Sequence, residues 1–242
     1  MQNYKAVISY DGTAYHGWQI QPKGKTIQGL LEKTLATITK TKVPVMGAGR
    51  TDAGVHALAQ TASFRTGLQI SDGDLFRAMN ALLPQDIRIV SLEKVPADFH
   101  ALRSAKGKIY RYRIFTGPQV SPFVVRYVYH HPYPLNREAM EKAARLFVRE
   151  ADFNPFSSNR ELHPVRRVTR SELTCEDQEI RLIIAANGFL RYMVRAIAGT
   201  LLEVGRGRLT PDDIETLFAG KKRTLASPTA PSRGLCLMEV IY

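Results

Sequence analysis

The 242 residues carry 34 Lys and Arg against 22 Asp and Glu, a formal net charge of +12, with 44% hydrophobic side chains. That apolar share supports a real core in one large or two small domains and excludes a chain that is mainly disordered. The charge attracts polyanions, nucleic acid ahead of an anionic membrane surface, because no basic amphipathic helix stands out. The basic residues are dispersed, as Lys106 and Lys108, Arg111 and Arg113, Arg166-Arg167, Arg206 and Arg208, and Lys221-Lys222-Arg223. This pattern favours a broad basic surface over a tail. No apolar stretch approaches the ~18–20 residues of a membrane span, and MQNYKAVISY does not read as a secretory leader. Cys175 and Cys236 have no metal-ligand spacing around them. They read as reduced, buried thiols of a soluble, cytoplasmic protein.

In chain order, residues 4–10 read as a strand closed by the turn Asp11-Gly12-Thr13. Thr26 reads as a helix N-cap, with Ile27, Leu30, Leu31, Leu35 and Ile38 on one face. Residues 43–48 and 58–65 are strand-like, with Leu58, Ala62 and Phe64 alternating in the second. Ser71 opens a helix carrying Leu75, Met79 and Leu82, which Pro84 stops, and residues 86–95 form a further strand. Residues 107–115 alternate as a strand, and 136–149 suit a helix with Met140, Ala143 and Phe147 inward. Strands follow at 165–174 and 179–186, then a helix with Phe189, Met193, Ile197 and Leu201 on one stripe. Thr210, Pro211, Asp212 and Asp213 start a last helix, Gly220 ends it, and LCLMEVIY is a closing strand. Strands and helices mix in two halves of similar content, an α+β architecture with a composite sheet. The expected division is 1–103 and 104–242.

The unusual stretch is residues 47–57, Gly-Ala-Gly-Arg-Thr-Asp-Ala-Gly-Val-His-Ala. It is not GxGxxG and lacks the Gly-Lys-Ser/Thr of a phosphate loop. Asp52 there reads either as a turn-capping side chain or as a chemical group. Arg50, two residues away, allows a carboxylate–guanidinium pair that would keep Asp52 ionised out of water. An ionised, partly desolvated carboxylate is a competent nucleophile toward an electrophilic carbon. The six histidines are scattered, with no HExxH and no Cys/His cluster, so no metal site is expected.

GRTDAGVHA resembles the signature of the tRNA pseudouridine synthase A family. Four further blocks resemble that family's motifs, in its order and across essentially the whole chain. They are YDGTAYHGWQIQ (10–21), FHALRSAKGKIYRY (99–112), GFLRYMVRAIAGTLLEVGRG (188–207) and APSRGLCL (230–237). The resemblance implies a pseudouridine synthase fold, two α/β halves around a mixed, mostly antiparallel sheet with a basic cleft between them. It implies Asp52 as catalytic aspartate and Arg195 as the arginine paired with it. It implies Tyr110 as the tyrosine stacking on the target base, Leu235 as an apolar residue against that base, and Arg50 as an aid to entry of the flipped nucleotide. The implied substrate is uridine in the tRNA anticodon stem-loop. The implied enzyme is a homodimer with no cofactor, no small-molecule cofactor site, no metal and no membrane partner.

Taken singly, Tyr110 reads as a core strand tyrosine, Arg195 as a surface helix residue and Leu235 as a core leucine. Two stretches depart from the family form. Arg191, in Gly188-Phe189-Leu190-Arg191-Tyr192, either contacts phosphate or faces solvent, and Asp152-Phe153-Asn154-Pro155-Phe156 is altered. A silent RNA-binding module explains the charge equally well, but not an acidic residue within a glycine-rich basic segment.

Overall fold

The alternating N-terminal segment forms β1 (Gln2–Tyr10), with Tyr4, Ala6, Ile8 and Tyr10 buried on one face. The computed structural model describes residues 1–220 and 228–242. The Lys221-Lys222-Arg223 cluster lies outside the described residues. After β1 come α1 (Ile27–Thr39), β2 (Val45–Gly47), β3 (His56–Thr66), α2 (Asp72–Leu82) and β4 (Ile87–Val95). They are followed by β5 (Gly107–Phe115), β6 (Tyr129–His130), α3 (Arg137–Arg145), β7 (Glu150–Asp152), β8 (Val165–Glu176) and β9 (Glu179–Ala186). The last are α4 (Met193–Gly205), α5 (Pro211–Phe218) and β10 (Leu235–Ile241). The protein is therefore α+β. Its described residues group into two units, Met1–Lys106 with Leu237–Tyr242, and Gly107–Cys236. The closing strand thus falls mostly with the first unit, where a single cut of the sequence had assigned it to the second half.

In the first unit the strand order is β4-β1-β3-β10, with β2 added to β3. β1 runs antiparallel to both β3 and β4. β3 lies inside this order, and Gln60–Phe64 are five consecutive buried residues. An interior strand covered on both faces reads as a continuous run, and simple alternation fails there. Leu58, expected inward, is 49% exposed. Thr26 caps α1 by accepting the Gly29 N–H at 3.3 Å, and Ile27, Leu31 and Leu35 face the core. Leu30 and Ile38 are only half-buried. Ser71 caps α2, and Leu75 and Met79 are buried. Leu82 is 52% exposed, because the chain turns into an extended conformation at Leu83, which takes the buried position instead.

In the second unit the order is β5-β9-β8-β7, all antiparallel, with β6 joined parallel to β5. Tyr110, Tyr112 and Ile114 stand opposite Ile184, Leu182 and Ile180, forming one buried sheet face. Helix α4 packs on β5 and on α3. The helix expected over 136–149 ends at Arg145. Phe147 is nonetheless buried in the following turn, its ring edge-on to Phe156 at 5.1 Å and to Phe218 at 5.9 Å. Phe153 and Phe156, in the altered 152–156 segment, belong to this same aromatic core. Phe189 lies outside α4, because Tyr192 adopts a left-handed conformation (φ 62°) and the helix starts only at Met193. α5 carries a full capping box between Thr210 and Asp213, and Gly220 (φ +70°) follows its end. Cys236 is buried as expected but Cys175, near the end of β8, is exposed.

Candidate active site

Asp52 is half-buried on the connection between β2 and β3, and both Thr51 and Val55 beside it are buried. The connection is held mainly through its backbone by the segment after β1. The Trp18 N–H donates to the Thr51 carbonyl at 3.0 Å, and the Gly54 N–H donates to the Tyr15 carbonyl at 3.3 Å. The Val55 N–H donates to the Asp52 carbonyl at 3.1 Å, closing a tight turn in which Gly54 has φ +76°. The approach of the two segments requires glycine at position 17. Gly17 has φ +89°, and a Cβ there would stand 2.5 Å from the Thr51 carbonyl oxygen and 3.0 Å from the Asp52 carbonyl carbon.

Side chains add a second layer. The Thr51 and Tyr10 hydroxyls are 2.8 Å apart in a buried hydrogen bond, and the Gln60 amide donates to the Gly49 carbonyl at 3.0 Å. His56 Nδ1 lies 3.1 Å from both the Gly12 N–H and the Asp11 carboxylate. A ring nitrogen serves one of these at a time, accepting from Gly12 or donating to Asp11 according to tautomer. Tyr15 donates to Asp86 at 2.5 Å, and burial together with that carboxylate pushes its phenol well up from the ordinary value. The 10–21 segment is thus a scaffold for the Asp52 turn. Arg50 is exposed and forms no ion pair among the described residues, so the pairing with Asp52 that its spacing allowed is not made.

The second unit holds Tyr110, Arg195 and Leu235. Every residue of α4 is buried except Arg195, which is half-buried. A helix buried all round has no solvent face, so a surface-helix account of Arg195 does not apply. The Arg195 Nε donates to the Ala230 carbonyl at 2.8 Å, and the Ala230 N–H donates back to the Arg195 carbonyl at 3.0 Å. Its guanidinium lies 4.7 Å from the centre of the Tyr192 ring. Arg191 lies over the same ring at 5.1 Å and is exposed. Close contact between α4 and the 228–230 segment depends on Gly199, where a Cβ would fall 1.6 Å from the Pro228 carbonyl oxygen.

Tyr110 is 7% exposed on β5, with Phe189 edge-on to its ring at 5.1 Å. Leu235 is 5% exposed, directly after the short turn Ser232–Gly234. That turn is tied to the sheet by the Tyr112 hydroxyl, which donates to the Pro231 carbonyl at 2.8 Å. Sequence reasoning did not single out the roles of Trp18, Thr51, Tyr10 or Tyr192, although all but Thr51 lie in the blocks flanking the key residues and Thr51 adjoins Asp52 itself. Among the described residues no group of three or more His, Cys, Asp and Glu is arranged to hold a metal, and no helix is long and apolar enough to cross a membrane.

The sequence matches the family model described as tRNA pseudouridine synthase over residues 6–102 and 143–242. The tRNA pseudouridine synthase A of Caldicellulosiruptor bescii is 43% identical over 244 residues, covering all of both chains. That of Caldicellulosiruptor saccharolyticus is 45% identical over 244 residues, again covering all of both. That of Thermodesulfovibrio yellowstonii is 42% identical over 254 residues with the same full coverage. Tyr110 falls between the two matched segments of the family model, within the part that the full-length relatives span. On these matches, the chain belongs to the tRNA pseudouridine synthase family.

Proposed function

We propose that the protein isomerises uridine to pseudouridine in the anticodon stem-loop of tRNA, with Asp52 as the nucleophile. The observation that carries the assignment of Asp52 is its turn: a half-buried aspartate after the buried Thr51, held by main-chain bonds to the segment that follows β1 in the same unit. A capping aspartate needs no such support. The reaction breaks the N1–C1′ bond and forms a C5–C1′ bond. C5 loses a proton and N1 gains one. Nothing is oxidised and no group leaves, so the chemistry calls for no cofactor. The carboxylate reaches the product by attack at either C1′ or C6.

The target base is inaccessible within stacked RNA and has to be extruded. Tyr110 offers a ring on which it stacks, a contact worth about 1–3 kcal/mol. Arg195 keeps the Asp52 carboxylate ionised and oriented, Leu235 packs against the base, and Arg50, being exposed, guides the nucleotide inward through its phosphate. The reading extends to a cytoplasmic homodimer, supported by the family resemblance and checked by light scattering of the purified protein.

The deciding experiment measures pseudouridine in a tRNA transcript incubated with the protein or with Asp52→Asn, without added metal or nucleotide. The protein forms pseudouridine in the anticodon stem-loop. The variant loses at least about 10⁴-fold in rate, as expected for removal of a nucleophile, while binding tRNA within a few-fold. A variant with full activity removes Asp52 from the chemistry. Tight binding with no product from the unaltered protein makes it an RNA-binding module instead.

A further inference from the structure

Two cations of the second unit stand near the Tyr110 ring without an ion pair among the described residues. Several of its arginines are matched by carboxylates, as in Arg113–Glu179, Arg149–Glu215 and Arg170–Glu172. Lys108 and Arg166 form no ion pair among the described residues. Lys108 is half-buried on β5, two residues before Tyr110 and on the same face of the strand. Two positions along a strand span about 7 Å, about the length of one extended nucleotide. Lys108 stands opposite Ala186, which stands opposite Val168 of β8. Arg166 lies two residues before Val168 on that strand.

Burial first, and then the positive charge of Arg166, hold the Lys108 ammonium below the usual lysine range. Arg166 is half-buried as well, and its NH1 group donates to the His163 carbonyl at 2.7 Å and the Val165 carbonyl at 2.8 Å, which fixes the guanidinium. Its Nε lies 3.5 Å from the point where a Cβ on Gly188 would stand, and Gly188 precedes Phe189, the ring that meets Tyr110. Two cations and two aromatic rings therefore share one end of a sheet. Like charges drawn partly out of water disfavour one another unless an anion joins them. An ammonium and a planar guanidinium together suit a phosphodiester, one as a point charge and the other as a fork.

We propose that Lys108 and Arg166 jointly bind one backbone phosphate next to the uridine that stacks on Tyr110, and so set how deeply that nucleotide enters. The proposal rests on the reading of the protein as a pseudouridine synthase, and it makes the two cations positioning residues.

The test measures affinity for a fluorescent anticodon stem-loop RNA across a range of salt, for the full chain and for Lys108→Met, Arg166→Gln and the double variant. Each lost phosphate contact lowers the slope of log K against log salt by about 0.7–0.9 and weakens binding about tenfold. The double variant loses little more than either single one, because both cations hold the same phosphate, and Lys108→Arg retains the affinity. A second RNA carries one neutral methylphosphonate linkage on the 5′ or 3′ side of the target uridine. The sugar preceding that linkage is 2′-deoxy, and an all-phosphate RNA with the same deoxy sugar is the control. One of the two linkages weakens the unaltered protein about tenfold and leaves Lys108→Met no weaker than before. An unaltered protein indifferent to both linkages overturns the proposal, as do variants whose salt slope is unchanged. Pseudouridine is assayed on the same preparations. If product forms but the variants bind normally, the phosphate pair falls and the enzyme reading stands. If no product forms but the slopes drop, the enzyme reading falls and the anion site stands.

Discussion

In the first unit the Asp52 turn is fixed through the main chain. Trp18, Tyr15 and Val55 supply backbone partners, and Gly17 allows the segments to approach where no other residue fits. In the second unit Arg195 is fixed through its side chain, by the Ala230 carbonyl on one edge and the Tyr192 ring on one face. A short aspartate has little freedom of its own, so placing its Cα nearly places its carboxylate. A long arginine has four rotatable bonds, and only contacts along its length restrict them. The two scaffolds therefore fail differently. A main-chain scaffold is sensitive to added atoms at glycine and indifferent to pH, whereas a side-chain scaffold is sensitive to the geometry of the donor and to titration of its partners.

The largest expected effect that tests this contrast is at Gly17. Gly17→Ala forces a Cβ against the Thr51 carbonyl in a backbone conformation unsuited to alanine. It should shift the turn and lower kcat about 10²-fold, with a loss of about 1–3 kcal/mol in stability. Steady-state kinetics and thermal melts read both. A Gly17→Ala enzyme with unaltered kcat would show that the Asp52 carboxylate is placed by something other than its backbone.

Arg195→Lys is the matching test in the second unit. Lysine retains the charge but has no Nε–H for Ala230 and no plane for the Tyr192 ring. About tenfold is expected from kcat, because the unclamped charge is misplaced, and the lost bond to Ala230 lowers stability by about 1 kcal/mol, with KM little changed. Equal activity would show that charge alone suffices and that the side-chain clamp is incidental.

The smallest effect concerns acid. Glu179 accepts two bonds from Arg113, at 2.8 and 2.7 Å, and one from Arg181 at 2.5 Å. Burial raises its carboxyl, but the bonds from both arginines outweigh it and hold the group down at about 2. Because the folded value lies below the ordinary 4.5, this contribution is complete above 4.5 and is lost as pH falls toward about 2. Glu179→Gln should melt lower than the unaltered protein at neutral pH, by about 1 kcal/mol after solvent screening. The gap should close on acidification. A gap independent of pH would remove the charged network from the stability of this sheet.

The helices were legible where a cap and an apolar stripe coincide, as at Thr26 with Ile27, Leu31 and Leu35, and at Thr210 with Pro211 and Asp213. Strands were legible where one face alone is buried, as in β1 and β5. Leu58 and Leu82 were misplaced because alternation and helical period extrapolate past the point where the chain changes its neighbours. The start of α4 was misplaced because a left-handed Tyr192 is set by its surroundings and leaves no mark on periodicity. The two-residue spacing allowed a pair between Arg50 and Asp52, yet the turn leaves Arg50 in solvent.

The sequence by itself determined the periodic elements, their caps, and the ordered blocks by which the chain is recognised as a tRNA pseudouridine synthase. Those features depend on neighbours a few residues apart, whose spacing is the same in the chain as in the fold. Only the tertiary structure decided that α4 is buried all round with Arg195 its one half-buried residue, and that Trp18 and Gly17 carry the Asp52 turn. It also decided that Lys108 and Arg166, far apart in sequence, come within electrostatic reach of each other near Tyr110, with no ion pair to either among the described residues. Each of these is a relation between distant segments, and periodicity reports which side of an element is apolar without reporting what the other side meets.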